Sequence, residues 1–170
     1  MIVTHVSVRP GAPDDLPALT VLYNHYVENT HVTFDLQPYS VEQRGEWFSH
    51  YARSGPHRLL VAHVGADAVG YATSSKFRNK AAYDTSVEAT VYVRDDGSRR
   101  GVGSALYAAL FDALRDEDVH RAYAGIALPN DASIALHRKF GFEEVGTYRE
   151  VGRKFGRYWD VTWFEKPLDA

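Results

Sequence analysis

Residues 85–104 constrain this chain most, because an apolar strand, a basic glycine-containing loop and an amphipathic helix follow one another without interruption. Val87, Ala89, Val91 and Val93 fall on one face of a period-two pattern, and Glu88, Thr90 and Tyr92 on the other. Leu106, Leu110 and Leu114 then recur every fourth residue, so a helix starts near residues 101–104 and turns its unpaired amides and positive dipole end toward the loop. Arg99 and Arg100 add formal charge to that helix start, which makes the junction an anion site with a strand carboxylate just ahead of it.

A chain of 170 residues suits one compact domain that buries roughly two-thirds of its unfolded surface. Its 45% hydrophobic and 13% aromatic content excludes a disordered chain, and no run approaches the ~18 apolar residues of a membrane helix. The first ten residues carry no basic region followed by an apolar block, and there is no cysteine, so a cytoplasmic protein is expected. With a net charge of −3 and no extended basic patch, neither nucleic acid nor membrane is an expected partner.

A strand is expected over residues 3–8, followed by a helix whose apolar stripe is Leu16, Leu19, Leu22, Tyr23, Tyr26 and Val27. Ser40 and Gln43 have capping-box spacing ahead of a second helix carrying Trp47, Phe48 and Tyr51. Residues 59–64 and 69–75 read as strands joined in a hairpin through Gly65, and a charged, aromatic loop over 77–84 leads to the strand of Glu88. A strand at 121–128 and a short helix through Ile134, Leu136 and Phe140 follow, with Gly141 where a helix ends. Residues 142–148 and 158–165 read as two final strands bridged by a basic loop with Gly152 and Gly156. Strands that first meander and then alternate with helices give a mixed sheet with helices on both faces, an α/β or α+β sandwich.

Several chemistries are excluded. Leu106 stands where a dinucleotide fingerprint starting at Gly101 needs its third glycine, and no Gly-Lys-Ser/Thr has nucleotide-loop spacing. The eight histidines lack metal-ligand spacing, so no metal is expected. With no thiol and no Gly-x-Ser-x-Gly elbow, direct transfer from an anionic cofactor remains.

The strand at 87–93, the turn from Arg99 to Ser104 and residues 128–142 together resemble the GNAT superfamily of N-acetyltransferases. Tyr23-Asn24-His25-Tyr26-Val27, Thr33-Phe34, Ala82-Tyr83-Asp84 and the run from Asn130 to His137 extend the likeness to phosphinothricin acetyltransferases and their methionine sulfoximine acetyltransferase relatives. The resemblance covers nearly the whole chain. It implies a single domain over residues 1–170 with the GNAT fold, a mixed, mostly antiparallel central sheet flanked by helices on both faces. It also implies a homodimer, and resistance to a toxic amino-acid analogue through masking of its amine.

The cofactor implied is acetyl-CoA, its pyrophosphate on Arg99, Arg100, Gly101, Val102, Gly103 and Ser104. Its pantetheine arm would follow Val91, Tyr92 and Val93 and meet Asn130 and Ser133. Ser98 departs from the Gln or Arg usual three residues before the first motif glycine, which leaves backbone amides as the main anion contacts. An amine attacks a thioester only when neutral, so a proton acceptor is needed. Glu88 and His137 are the implied catalytic pair, with Glu88 taking the proton directly or through water, and His137 acting as general acid or as partner of Glu88. A strand amide near 91–93 would stabilise the oxyanion if that strand carries a bulge. Arg78, Asn79, Lys80 and Tyr83 match the family's substrate loop, whose cations suit an anionic or strongly polar tetrahedral head, and Phe34, Thr90 and Tyr92 line the pocket. Like the sulfoximine relatives, the tripeptide begins with Arg.

Without the resemblance, Glu88 reads as a solvated strand carboxylate, His137 as a packing histidine, and Arg78 and Lys80 as a solvated pair. The leading function is transfer of acetyl to the α-amine of phosphinothricin, methionine sulfoximine or methionine sulfone. The alternatives are acetylation of a protein amino terminus or another amine, and a silent acyl-CoA-binding sensor.

Overall fold

The computed structural model describes residues 5–95 and 101–168. In chain order it contains β1 (Val6–Pro10), α1 (Leu16–Asn29), α2 (Val41–Ser49), β2 (Arg58–Val64), β3 (Asp67–Lys76), β4 (Ser86–Val93), α3 (Val102–Leu114), β5 (Arg121–Ala127), α4 (Asp131–Lys139), β6 (Glu143–Lys154) and β7 (Arg157–Pro167). The strands form one seven-stranded sheet in the order β1-β2-β3-β4-β5-β7-β6. Every neighbouring pair is antiparallel except β4 and β5. The expected mixed, mostly antiparallel sheet is therefore present.

Strand alternation divides the core in two. Leu60, Ala62, Ala72, Val87, Ala89, Ala122 and Ile126 pack under the α3 stripe of Val102, Leu106, Leu110 and Leu114. Leu59, Val61 and Tyr71, one residue out of phase, meet Leu19 and Leu22 of α1, with Trp47 and Phe48 of α2 alongside. Because both faces are covered, residues 59–63 of β2 are all buried.

Local signals act where the spacing requires. Ser40 Oγ accepts from the Gln43 amide and Gln43 Oε1 from the Ser40 amide, closing the capping box of α2. At the end of α4 the Gly141 amide donates to the Arg138 carbonyl and the Phe142 amide to the His137 carbonyl, with Gly141 at φ 80°. This is a Schellman closure, and it fixes the last turn, which carries His137.

Two expectations need correction. The first strand runs Val6–Pro10, beyond the expected limit of residue 8. The basic stretch bridging the last two strands is not a loop, because β6 continues through it to Lys154 and turns at Phe155 and Gly156, both at positive φ as a tight hairpin turn demands. As an edge strand β6 is exposed along nearly all its length, so its side chains show no inside-outside alternation to mark it.

Candidate active site

The site begins with a strand pair that stops early. β4 and β5 pair only through Ser86–Glu88 and Arg121–Tyr123, after which β5 stays with β7 and leaves β4. The resulting cleft, about 570 Å³, has β4 from Ala89 to Val93 on one wall and Gly125–Ala127 on the other. Residues 30–32 after α1 and Asn130, Ser133 and His137 at α4 complete it. Glu88 belongs to the last pair, opposite Tyr123, so it stands at the apex.

The ladder pattern gives the backbone of this cleft. The Arg94 amide donates to the Val69 carbonyl, so by antiparallel alternation Tyr92 and Thr90 bond to β3 while Val91 and Val93 turn their backbone groups away from it. The Tyr26 hydroxyl, donating to the Val93 carbonyl at 2.5 Å, lies on that open side. The register of β3 against β4 is continuous through this region. The bulge invoked to expose a strand amide is therefore absent from this pair, and the splay of the sheet exposes the amides instead.

At the start of α3, Gly101 adopts φ 87° and the first helix amides have no intrahelical acceptor. The Lys139 ammonium donates to Ser104 Oγ at 2.8 Å, bringing a cation from α4 to the same helix start. Val102 is fully buried in the α3 core. A Cβ on Gly103 would come 3.0 Å from Leu136, so this glycine lets α3 and α4 approach at the cleft. Arg99 and Arg100, expected at the anion site, lie outside the described residues, as does Ser98. Asn130 Oδ1 caps α4 by accepting from the Ser133 amide.

Glu88 shares its sheet face with Ser75, Thr90 and Tyr123. Burial raises its pKa above the ordinary carboxylate value, and the nearby Arg78 charge only partly opposes the shift. The Arg78 guanidinium lies 4.7 Å from the Phe77 ring centre and 5.9 Å from that of Trp163. Phe77 stacks on Tyr123 and meets Tyr83 edge-on. Asn79 and Lys80 are exposed. Phe34 lies across the backbone of Gly152 in β6, where a Cβ would fall 2.1 Å from Cε2 of the ring.

His137 sits differently from either expected role. It is buried, its Nδ1 meets the Ser133 carbonyl at 2.7 Å, and its Nε2 meets the Tyr107 hydroxyl at 2.7 Å. Since a carbonyl only accepts, Nδ1 carries the proton and Nε2 accepts from Tyr107. Burial also lowers its pKa, which keeps the ring neutral. His137 packs with Tyr107, Phe142 and Phe164 on the α3 side of the sheet, whereas Glu88 faces the other side, so the two do not form a pair.

Three functional candidates went unread in the sequence. Tyr26 was read only as part of an apolar stripe and Tyr107 was not singled out, although a buried phenol needs a hydrogen-bond partner and so signals a polar contact. Arg44 gave no signal, since an arginine in an amphipathic helix is ordinarily solvent-facing.

Residues 9–163 match the family model for the acetyltransferase (GNAT) domain. The chain is 60% identical over 165 residues to a phosphinothricin N-acetyltransferase of Streptomyces coelicolor, covering 96% of each chain. It is 37% identical over 163 residues to an L-methionine sulfoximine/L-methionine sulfone acetyltransferase of Pseudomonas aeruginosa, covering 96% of this chain and 95% of that one. A GNAT superfamily phosphinothricin acetyltransferase from Sinorhizobium meliloti, solved in complex with AcCoA, superposes with a TM-score of 0.90 at 30% identity, over 96% of this chain and 89% of that one. The splayed strands, the glycine-led helix start and these likenesses agree, and the chain belongs to the GNAT family of acetyltransferases.

Proposed function

We propose that this protein works as a single domain that transfers acetyl from acetyl-CoA to the α-amine of a small amino acid of the phosphinothricin or methionine sulfoximine type. The observation that carries the reading is Glu88 at the apex of the cleft, desolvated and beside Arg78. The names of the relatives from Streptomyces and Pseudomonas support the substrate class.

The cleft fits the cofactor. It is open between strands and offers the backbone of Val91, Tyr92 and Val93 on one wall and Asn130 and Ser133 on another, while the start of α3, with Gly101 at its N-cap and Lys139 on Ser104, would supply helix amides and a cation for the pyrophosphate. Arg99 and Arg100 would add charge for the pyrophosphate. Bound there, acetyl-CoA supplies an activated acyl group. The acceptor amine forms its C–N bond as the C–S bond breaks and CoA leaves as its thiolate, and Glu88, whose raised pKa makes it a stronger base than an ordinary carboxylate, takes the amine proton. The Val91 or Val93 amide donates to the developing oxyanion. Because a neutral imidazole held at both nitrogens is a poor acid, we assign His137 a positioning role, holding Ser133 and the first turn of α4 against the cleft.

Arg78 with Tyr83 and the exposed Asn79 and Lys80 receives the tetrahedral head of the substrate, and Thr90 and Tyr92 form the floor near the amine. Phe34 closes the pocket from the β6 side. A homodimer is supported by the β6 edge and its hairpin, where Val145, Tyr148, Val151, Phe155 and Tyr158 are all exposed. No helix among the described residues is long and apolar enough to cross a membrane. Use of a cytoplasmic metabolite and the absence of cysteine support a cytoplasmic site of action, where masking the amine of a toxic analogue would confer resistance.

The test is thiol release from acetyl-CoA with L-phosphinothricin, L-methionine sulfoximine, L-methionine sulfone, L-glutamate and a short peptide, with Glu88→Gln alongside. Selective turnover of the analogues, lost in the variant, is expected. Preference for the peptide, or full activity in Glu88→Gln, overturns the reading.

A further inference from the structure

A second cavity, about 410 Å³, lies on the α1 and α2 side of the sheet. Thr73, Ser75, Thr90 and Tyr92 contribute to it from the strands, and Arg44 enters it from α2. It adjoins the reaction centre, because Ser75 pairs directly with Glu88 and Thr90 lies two residues along the same face, roughly 7 Å away. Thr90 and Tyr92 line this cavity and the cofactor cleft alike.

Arg44 is only 5% exposed, yet no carboxylate among the described residues forms an ion pair with it. Its guanidinium lies 3.6 Å from the Trp47 ring centre and 4.5 Å from that of Tyr23. One long hydrogen bond, 3.4 Å, reaches the Tyr71 hydroxyl, and Nε is buried with no partner. Asp35, a carboxylate of the same cavity, accepts from the Tyr23 hydroxyl instead. Two aromatic faces repay only part of the desolvation of a buried cation, and an unsatisfied guanidinium nitrogen repays none. The charge is felt around the cavity, where it opposes the effect of burial on Tyr71, Tyr92, Tyr39 and Tyr51. Two carboxylates, Asp35 and Glu46, line the cavity, but neither forms an ion pair with Arg44, so its guanidinium is left to match a planar anion brought by a ligand.

We propose that Arg44 anchors the α-carboxylate of the acceptor, and so makes the enzyme selective for α-amino acids over simple amines. This deepens the amino-acid reading above and rests on it. In an α-amino acid the amine and carboxylate share one carbon, so an amine held at Glu88 carries its carboxylate into the neighbouring cavity. The side chain then extends toward Arg78, and the two arginines read opposite ends of one substrate.

The test compares L-phosphinothricin with (3-aminopropyl)methylphosphinic acid, the same molecule without its α-carboxylate. Turnover is measured with acetyl-CoA, and affinity by calorimetry with CoA bound. The wild type should favour the amino acid at least fiftyfold. Arg44→Gln should cut that preference at least tenfold through KM for L-phosphinothricin, with the decarboxylated amine and KM for acetyl-CoA little changed, and Arg44→Lys should restore part of it. A merely structural arginine would lower both substrates together, and that result overturns the proposal, as does a preference that survives in Arg44→Gln. Should Arg44→Gln fail to fold, the wild type still decides: equal affinity for the two ligands refutes the anchor. If both are acetylated without discrimination, only the anchor falls. If neither is bound or acetylated, the amino-acid reading falls with it.

Discussion

The Tyr107–His137 bond is open to a thermodynamic test because both groups are stranded without each other. Tyr107 is fully buried and its hydroxyl donates to His137 Nε2 at 2.7 Å among the rings of Phe142 and Phe164. Tyr107→Phe deletes the donor and leaves that nitrogen unpaired, at a cost of about 1–3 kcal/mol. For a chain of 170 residues, each kcal/mol lowers Tm by about 2–4 °C, so the drop should be roughly 2–12 °C. His137→Leu strands the Tyr107 hydroxyl in the same way. The double variant strands neither, so its loss should fall short of the summed single losses by more than about 0.5 kcal/mol, the usual limit of additivity for independent sites.

Denaturant melts followed by circular dichroism at pH 7.5 supply the cycle. Additive losses would refute the assignment of a bond. Titration supplies a second check. The folded-state pKa of His137 is depressed below its ordinary 6.5, so its neutral burial contributes stability above that pH which is lost as pH falls through 6.5 toward the folded value. The wild type should therefore lose part of its advantage over His137→Leu on acidification, and an advantage independent of pH would contradict the neutral, buried ring.

Glu88→Gln should raise Tm at pH 7 but not at pH 4, because a carboxyl whose folded pKa is raised is stabilising while protonated and loses that contribution as pH climbs through its folded pKa; the acid limb of kcat/KM should for the same reason lie above the ordinary carboxylate range. Gly152→Ala forces the Phe34 ring off the β6 backbone and should cost about 1–3 kcal/mol in a denaturant melt, with substrate KM rising alongside. Gly101→Ala puts a side chain at φ 87° and should cost about 1–3 kcal/mol while raising KM for acetyl-CoA more than KM for the amino acid, as initial-rate kinetics would reveal.

Where one face of an element is buried and the other is not, its sequence declares it. The alternation of Val87, Ala89 and Val91, the fourfold spacing of Leu106, Leu110 and Leu114, and the Ser40 and Gln43 box all correspond to the contacts those residues make. The first half of β6 was read as a strand, but its second half was illegible because neither face is consistently covered, so Arg149, Arg153 and Lys154 read as a basic loop. Lys154 illustrates the same limit, being buried with its ammonium on the Thr33 carbonyl, a partner 121 residues away. Arg44 was invisible for a related reason. Its aromatic surround comes from Tyr23 on α1, Trp47 on α2 and Tyr71 on β3, and no local pattern links them.

The cleft itself has a single origin, the short parallel contact between β4 and β5. A longer pairing would have bonded the open side of β4 to β5, leaving no amide for an acyl oxygen and no gap for a cofactor arm. Stopping the ladder at Glu88 opens the cleft, frees Val91 and Val93 on its wall, and sets the carboxylate at the apex in one step. On the β5 side, Trp163 lies over Gly125, where a Cβ would come within 3.1 Å of the ring, so the wall beyond the split stays flat on the Glu88 face. Free backbone groups are ordinarily a liability in a sheet interior. Here the Tyr26 hydroxyl satisfies the Val93 carbonyl, one of the backbone acceptors that β4 turns to its open side, while the neighbouring amides remain as donors. The cleft thus keeps amide donors on its strand wall and the Glu88 carboxylate at its apex, the polarity that the proposed acyl transfer to an amine requires.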